Sequence, residues 1–160
     1  QVMLCPKIEA KILQAVQAQK TDNVLEVGTG SGYMTALLAH LTDKVTTIEI
    51  NEQLSRQAQE KLSAEGFNNI TYIIDDASKG FAQYPPFDII ILTGSAAQLP
   101  DDFKQSLKTG GRLFAVTGTA PVMEASLITR VSSDQYTCEE LFETEIPPLE
   151  NISQAETFSL

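Results

Sequence analysis

The chain has 160 residues, of which 42% are hydrophobic, and a formal net charge of −10; this is enough material for one hydrophobic core. The negative charge argues against a nucleic-acid partner, because phosphate binding requires a basic face. No apolar run approaches the ~18 residues of a membrane span and no secretory signal is visible, so we expect no membrane association and a cytoplasmic location.

The first half of the chain alternates helical and extended patterns. Pro6 suits the first turn of a helix, and apolar residues follow it at helical spacing. Gly66 predicts the end of a later helix. The elements predicted up to residue 74 are a helix from Pro6, a strand over 24–27, a helix over 33–41, a strand over 45–48, a helix over 51–64 and a strand over 70–74.

The second half begins with the same rhythm and then changes. A near-continuous apolar run over 87–92 is typical of a central parallel strand. Two strands at 125–131 and 136–142 leave no room for a helix between them and predict an antiparallel hairpin. The other predicted features are a helix over 99–107, a turn at 109–111, a strand over 112–116, and an irregular tail from Pro147 in which Phe158 and Leu160 pair with a sheet edge.

Helices alternating with strands predict an α/β fold with a doubly wound, mostly parallel sheet and an antiparallel hairpin at one edge. We expect a single domain over 1–160. The chain starts at Gln1 rather than Met and enters a helix almost at once, which predicts that an N-terminal segment is missing. Cys5 and Cys138 lie far apart without metal-ligand spacing, so no metal site is expected.

Residues 23–32 read NVLEVGTGSG and are the most informative stretch of the chain. A short apolar strand carries one acid, Glu26, and ends in glycines at alternate positions, Gly28, Gly30 and Gly32. Glycine permits a positive φ and lets a ligand approach the backbone closely. The start of the next helix offers free N–H groups to a polar ligand. The pattern predicts a nucleotide-type site in the first strand–turn–helix unit of the sheet.

The spacing of the glycines separates two ligand classes. A dinucleotide fingerprint, G-x-G-x-x-G, requires glycine at position 33, which is Tyr33 here. An NAD-binding domain is therefore the disfavoured alternative. The observed G-x-G-x-G resembles the first motif of S-adenosylmethionine (SAM) methyltransferases, in which an acid at the position of Glu26 organises the pocket for the methionine end. Glu49, at the tip of the next strand and about 20 residues on, is predicted to hold the ribose hydroxyls.

The wider sequence resembles the protein-L-isoaspartate O-methyltransferase family over roughly residues 6–118. The resemblance rests on the runs VLEVGTGSGYMTALLAHL, VTTIEINEQL, NITYIIDDASKGF, PFDIIILTGSAAQLP and LKTGGRLFAVTG, with IPPLEN as a later echo. It implies a Rossmann-like SAM methyltransferase fold. It also implies protein repair by methyl transfer from SAM to the carboxylate of isoaspartyl residues, with S-adenosylhomocysteine (SAH) as the product.

The resemblance also assigns residues to the cofactor. The glycine loop would line the methionine part, Asp76 would read the adenine amino group beside the backbone of Ala77, and Thr93 would stand where the fourth strand opens onto the site. The cofactor-binding residues expected on this basis are Glu26, Gly28, Thr29, Gly30, Ser31, Gly32, Glu49, Ile50, Asp76, Ala77 and Thr93.

The acceptor side departs from the family pattern at Leu4. The family has a Thr-Ile-Ser segment just before the proline of the first helix, and its serine lies beside the methyl-accepting carboxylate. Here the same offset from Pro6 gives Val2, Met3 and Leu4. Leucine cannot donate a hydrogen bond to an incoming carboxylate, and burying that group unpartnered is costly. The acceptor is therefore open between a peptide, a protein and a small molecule, and a SAM-binding module that has lost transfer is the alternative function.

Overall fold

A seven-stranded sheet organises the protein. The structure is a computed structural model that describes residues 4–152, so Val2, Met3 and the edge pairing predicted for Phe158 and Leu160 lie outside the described residues. The elements are α1 (Pro6–Val16), β1 (Asn23–Val27), α2 (Tyr33–Leu41), β2 (Lys44–Glu49), α3 (Glu52–Ala64), β3 (Ile70–Ile74), β4 (Phe87–Ala96), α4 (Asp101–Gln105), β5 (Leu107–Thr119), β6 (Val122–Arg130) and β7 (Tyr136–Glu143), with one 3-10 turn at Ala77–Lys79.

The strand order in the sheet is β3-β2-β1-β4-β5-β6-β7. The first five strands are parallel, and β6 pairs antiparallel with both β5 and β7. This confirms the predicted mostly parallel sheet with an antiparallel edge. The order reverses between β1 and β4, and open α/β sheets bind ligands in the crevice at such a switch point. Val27 pairs with Ile48 on one side and Leu92 on the other, so three strands end together there.

The sheet buries apolar side chains on both faces because alternate residues of a strand point to opposite sides. In β4, Ile89 and Ile91 join a cluster that includes Ile12 of α1 and Leu38 of α2. Ile90 and Leu92, which alternate with them, join a second cluster that contains Phe103 of α4. Among residues 4–152, no helix is both long and apolar enough to cross a membrane.

Two strands, β4 and β5, are longer than predicted by four or more residues. β4 continues to Ala96, and β5 starts at Leu107, so the predicted turn at 109–111 lies inside β5. The pairing of β4 with β5 shifts register there, between Phe87 and Ile89. Gly111 makes the irregularity possible, because a Cβ at this position would lie 2.8–3.1 Å from three backbone oxygens. The longer β5 also shortens the predicted helix over 99–107 to α4.

Candidate functional site

A cavity of about 630 Å³ opens at the carboxyl ends of β1 to β4. This volume falls within the range of small-molecule and cofactor sites. The walls come from the glycine loop, the tips of β2 and β3, the start of α1 and residues 145–152, which we call the closing segment. The predicted site residues that line the cavity are Leu4, Glu26, Gly28, Thr29, Gly30, Ser31, Glu49, Ile50, Asp76, Ala77 and Thr93.

Gly32 is the predicted site residue that does not line the cavity. It precedes α2 with φ +85°, and a Cβ there would lie 3.2 Å from Leu62 and 3.3 Å from Ala58 of α3. This glycine therefore serves the close approach of the loop to α3, while Gly28 and Gly30 remain at the cavity wall.

The glycine loop is fixed to both neighbouring strands. The Gly28 N–H donates to the Ile48 carbonyl at 2.8 Å. The Thr93 hydroxyl lies 2.9 Å from the Val27 carbonyl and 2.6 Å from the Gly28 carbonyl. A Cβ on Gly28, where φ is +98°, would collide with that hydroxyl. The loop therefore requires glycine at this position, and it presents a preorganised backbone to the cavity.

Glu49 links the tip of β2 to the glycine loop. Its Oε1 accepts the N–H of Gly30 at 3.0 Å, and its Oε2 accepts the N–H of Asn51 at 3.0 Å. The residue is only 2% exposed. Because each carboxylate oxygen can accept more than one hydrogen bond, both oxygens retain capacity for hydroxyl groups of a ligand.

Glu26 is a fully buried acid beneath the loop. Its Oε1 accepts hydrogen bonds from Thr35 and, at 2.7 Å, from Thr47. Its Oε2 has no partner among the residues that the structure describes. Burial raises the pKa of this carboxyl to about 7; the two threonine bonds oppose the rise, and the nearby Glu49 and Glu9 add to it. A positive charge placed beside Glu26 would favour its ionised form and lower this pKa again.

Asp76 stands at the tip of β3, before the 3-10 turn. Its Oδ1 accepts the N–H of Ser78 at 2.9 Å, and its Oδ2 accepts the side-chain amide of Asn151 at 3.1 Å. Hydrogen bonds from Ser78, followed by that of Asn151 and the charge of Lys79, lower the pKa of this carboxyl despite some desolvation. The group is therefore a charged acceptor at neutral pH.

The closing segment returns to the end of β4. Ser95 donates its N–H to the Pro147 carbonyl and accepts the N–H of Leu149, both at 2.9 Å, and its hydroxyl donates to the Ile146 carbonyl at 3.0 Å. The Leu149 side chain fills the space beside Gly28 and Gly94. The sequence marked this stretch only as an echo, IPPLEN, and its role as a wall of the cavity was missed because nothing local predicts where an irregular segment packs.

The acceptor-side residue Leu4 is half-buried and packs against the apolar cluster of α1 and α2. Beside it in the cavity wall is Glu9, an acid that the sequence interpretation missed. Glu9 is 4% exposed, and burial raises its pKa. Its spacing contained a signal, because Glu9, Ile12 and Val16 form the buried face of α1 at helical intervals.

Known proteins are similar to this chain in both sequence and fold. The family profile of Protein-L-isoaspartate(D-aspartate) O-methyltransferase matches residues 1–150. Protein-L-isoaspartate O-methyltransferase 1 of Geotalea uraniireducens is 34% identical over 145 residues, which cover 90% of this chain and 66% of that protein. Protein-L-isoaspartate O-methyltransferase 2 of Pelobacter propionicus is 33% identical, with coverages of 90% and 64%. The chain thus spans slightly less than two thirds of the length of both relatives.

Solved structures confirm the methyltransferase fold. A protein-L-isoaspartate O-methyltransferase superimposes with a TM-score of 0.82 at 22% identity, covering 91% of this chain and 47% of that chain. A second structure, from Plasmodium falciparum and in complex with SAH, gives a TM-score of 0.80 at 20% identity, with coverages of 92% and 75%. Taken with the profile match over almost the whole sequence, these findings establish that the chain belongs to the protein-L-isoaspartate O-methyltransferase family.

Proposed function

We propose that this chain binds SAM in the cavity at the switch point and transfers the methyl group to the carboxylate of an isoaspartyl residue in a peptide or protein. The observation that carries the proposal is the connection between the loop and the tip of β2. Gly30 donates to Glu49 at the mouth of a cavity whose other walls are the acids and glycines expected of a SAM site. The family membership supports the same activity.

The residues present fit the cofactor, and each has a distinct task in the proposal. Glu49 would accept the ribose hydroxyls with its remaining lone pairs, and Asp76 would accept the adenine amino group. The backbone of Gly28 and Gly30 would lie against the methionine part, because neither residue has a side chain to keep it away. Glu26, with one unpartnered oxygen, would face the cationic methionine end.

The proposed reaction requires no general acid or base from the protein. Bound SAM supplies a methyl group already activated on a sulfonium. A carboxylate acceptor is ionised at neutral pH and attacks without a general base. The chain must therefore position the two reactants in line and exclude water. The apolar side chains of Leu4 and Leu149 in the cavity wall favour the exclusion of water.

Titration calorimetry with SAM, SAH and NAD tests the cofactor part of the proposal. We expect SAM and SAH to bind at a single site and NAD to give no heat of binding. Binding of NAD without SAH would overturn the proposal. Binding of SAH with no transfer to any isoaspartyl peptide would instead indicate a SAM-binding module. The cytoplasmic location and the absence of a nucleic-acid partner stay predictions.

A further inference from the structure

Two buried acids on different elements line one cavity, and neither forms a salt bridge within residues 4–152. Glu9 of α1 is 4% exposed and Glu26 of β1 is 0% exposed, and both line the cavity. The Oε2 atom of each has no hydrogen-bond partner among residues 4–152. A buried polar atom left without a partner costs free energy. Two such atoms at one site indicate that a ligand completes them.

The surrounding charges favour a cationic ligand group. Lys61 is the one Lys, Arg or His among the described residues that line the cavity, and its Nζ donates to the Ser31 carbonyl at 2.6 Å. On α1 itself, Lys11 places its Nζ over the ring of Phe142, 4.5 Å from the centroid. The other titratable groups that line the cavity are Tyr33, Glu49, Asp75, Asp76 and Glu150.

A cationic group stabilises two neighbouring carboxylates better than a neutral hydrogen-bond donor does. The two carboxyl groups influence each other, since Glu9 contributes to the raised pKa of Glu26. An ammonium group offers three hydrogen-bond donors and a positive charge. Charge-assisted bonds to carboxylates are about twice as strong as neutral ones. A cationic donor can both supply hydrogen bonds to unpartnered carboxylate oxygens and offset the charge of two acids.

We propose that Glu9 is a second carboxylate, beside Glu26, that binds the ammonium group of the methionine moiety of the cofactor. The inference rests on the proposed function, because it takes SAM or SAH as the ligand. Glu9 thereby binds the amino-acid end of the cofactor and leaves the nucleoside end to Glu49 and Asp76. It also couples binding to pH, because the ammonium group favours the ionised carboxylates and displaces any proton that they hold.

The experiment compares SAH with 5′-methylthioadenosine, which has the same nucleoside but no amino-acid part. Calorimetry at pH 8 is performed on the wild type, on Glu9→Gln and on Glu60→Gln, a control in which an exposed glutamate of α3 is changed in the same way. Glu9→Gln should weaken SAH binding about tenfold or more and leave 5′-methylthioadenosine within about twofold. Glu60→Gln should change neither affinity.

A second readout is the proton balance. At pH 6.5, SAH binding to the wild type should release protons, measured as the difference in heat between two buffers of unlike ionisation enthalpy, and Glu9→Gln should release fewer. If Glu9→Gln does not fold, Glu9→Asp takes its place, because it keeps the charge but shortens the side chain. Glu9→Asp should weaken SAH binding and leave 5′-methylthioadenosine binding unchanged.

Unchanged SAH affinity in Glu9→Gln, or an equal loss for both ligands, would overturn the role of Glu9 and leave the proposed function intact. Absence of SAH binding to the wild type would overturn the proposed function, and the role of Glu9 with it.

Discussion

Glu26 shows how a single buried acid can serve a site at the expense of stability. Its pKa rises from 4.5 to about 7 in the fold, mainly through burial. Between these values the folded state keeps a proton that the unfolded state has lost, so the free energy of unfolding falls as the pH rises. Above about pH 7 the Glu26 carboxyl is ionised in the folded state as well, and the protein bears the full loss in the free energy of unfolding. A shift of this size corresponds to a cost on the order of 3 kcal/mol.

Glu26→Gln should remove this pH dependence. An amide oxygen can still accept the hydroxyls of Thr35 and Thr47, which both donate to Oε1. Urea unfolding of the ligand-free protein should show the variant gaining stability relative to the wild type between pH 5 and pH 8, by up to about 3 kcal/mol. Parallel pH profiles for the two proteins would show that Glu26 is not the titrating group.

We predict that Glu49 binds the ribose hydroxyls of the cofactor. Each charge-assisted hydrogen bond to a ligand hydroxyl is worth about 1.5–3 kcal/mol, so Glu49→Ala should weaken SAH binding at least about tenfold. Part of the loss comes from the Gly30 N–H that Glu49 also holds. The 2′-deoxy form of SAH separates the two contributions, because it should lose affinity for the wild type but little for the variant. Equal binding of both ligands to the wild type would contradict the ribose role.

At the scale of elements, we predict that the segment before α1, where Leu4 lines the cavity, forms its acceptor side. Leu4 offers no donor to a carboxylate, and it packs against the apolar cluster of α1 and α2. Leu4→Ser should raise kcat/KM for an isoaspartyl peptide about tenfold, given roughly 1–3 kcal/mol for satisfying one buried polar group.

Leu13→Ser is the matched control for this prediction. Leu13 lies in α1, just after the segment that holds Leu4, and packs on the same cluster, but it does not line the cavity. Both variants should lose some stability, and only Leu4→Ser should gain activity. A loss of stability with unchanged kcat/KM in both would show that Leu4 is a packing residue without a part in acceptor recognition.

The closing segment is the second element that shapes the cavity. A Cβ on Gly94 would lie 2.8 Å from Cγ and 3.1 Å from the backbone nitrogen of Leu149. Gly94→Ala should therefore push the segment away and break the bond from the Leu149 N–H to Ser95. Overpacking of this kind costs about 1–3 kcal/mol, so hydrogen exchange at Leu149 should accelerate about tenfold or more.

Gly110→Ala is the control for the closing segment, because a Cβ there has no atom within 4 Å. Its exchange at Leu149 should match that of the wild type. Unchanged protection of Leu149 in Gly94→Ala would mean that the segment adapts to the added methyl group without leaving its place.

At the scale of the whole molecule, local patterns predicted β1, β2 and β3 to within one residue at each end. The helix over 33–41 and the strand over 70–74 have the predicted bounds, because glycines, caps and apolar periodicity mark their ends. The start of β5 was wrong in the sequence interpretation: residues 109–111 were predicted as a turn, but they lie inside β5, at the register shift between the pairs Phe87–Leu107 and Ile89–Arg112.

Some residues of the candidate site could be predicted from local sequence patterns, and others could not. Residues on the glycine loop and the strand tips were predictable, because parallel strands place their carboxyl ends at one edge. Glu9 and Leu149 were not, because they reach the cavity through tertiary packing of α1 and of a segment that follows the last strand. Gly32 has the right spacing for a ligand contact but meets α3 instead.

A tritiated-SAM assay on the longest form of the protein that its gene encodes tests SAM-dependent transfer to an isoaspartyl carboxylate. The assay pairs an isoaspartyl peptide with its aspartyl counterpart. It includes two positive-φ glycine variants: Gly30→Val at the cavity wall and Gly66→Val, where a Cβ meets nothing within 4 Å.

We predict base-labile label on the isoaspartyl peptide only, with transfer retained in Gly66→Val and abolished in Gly30→Val. Equal labelling of both peptides, or no labelling by a protein that binds SAH, would contradict isoaspartyl methyl transfer as the function of this chain.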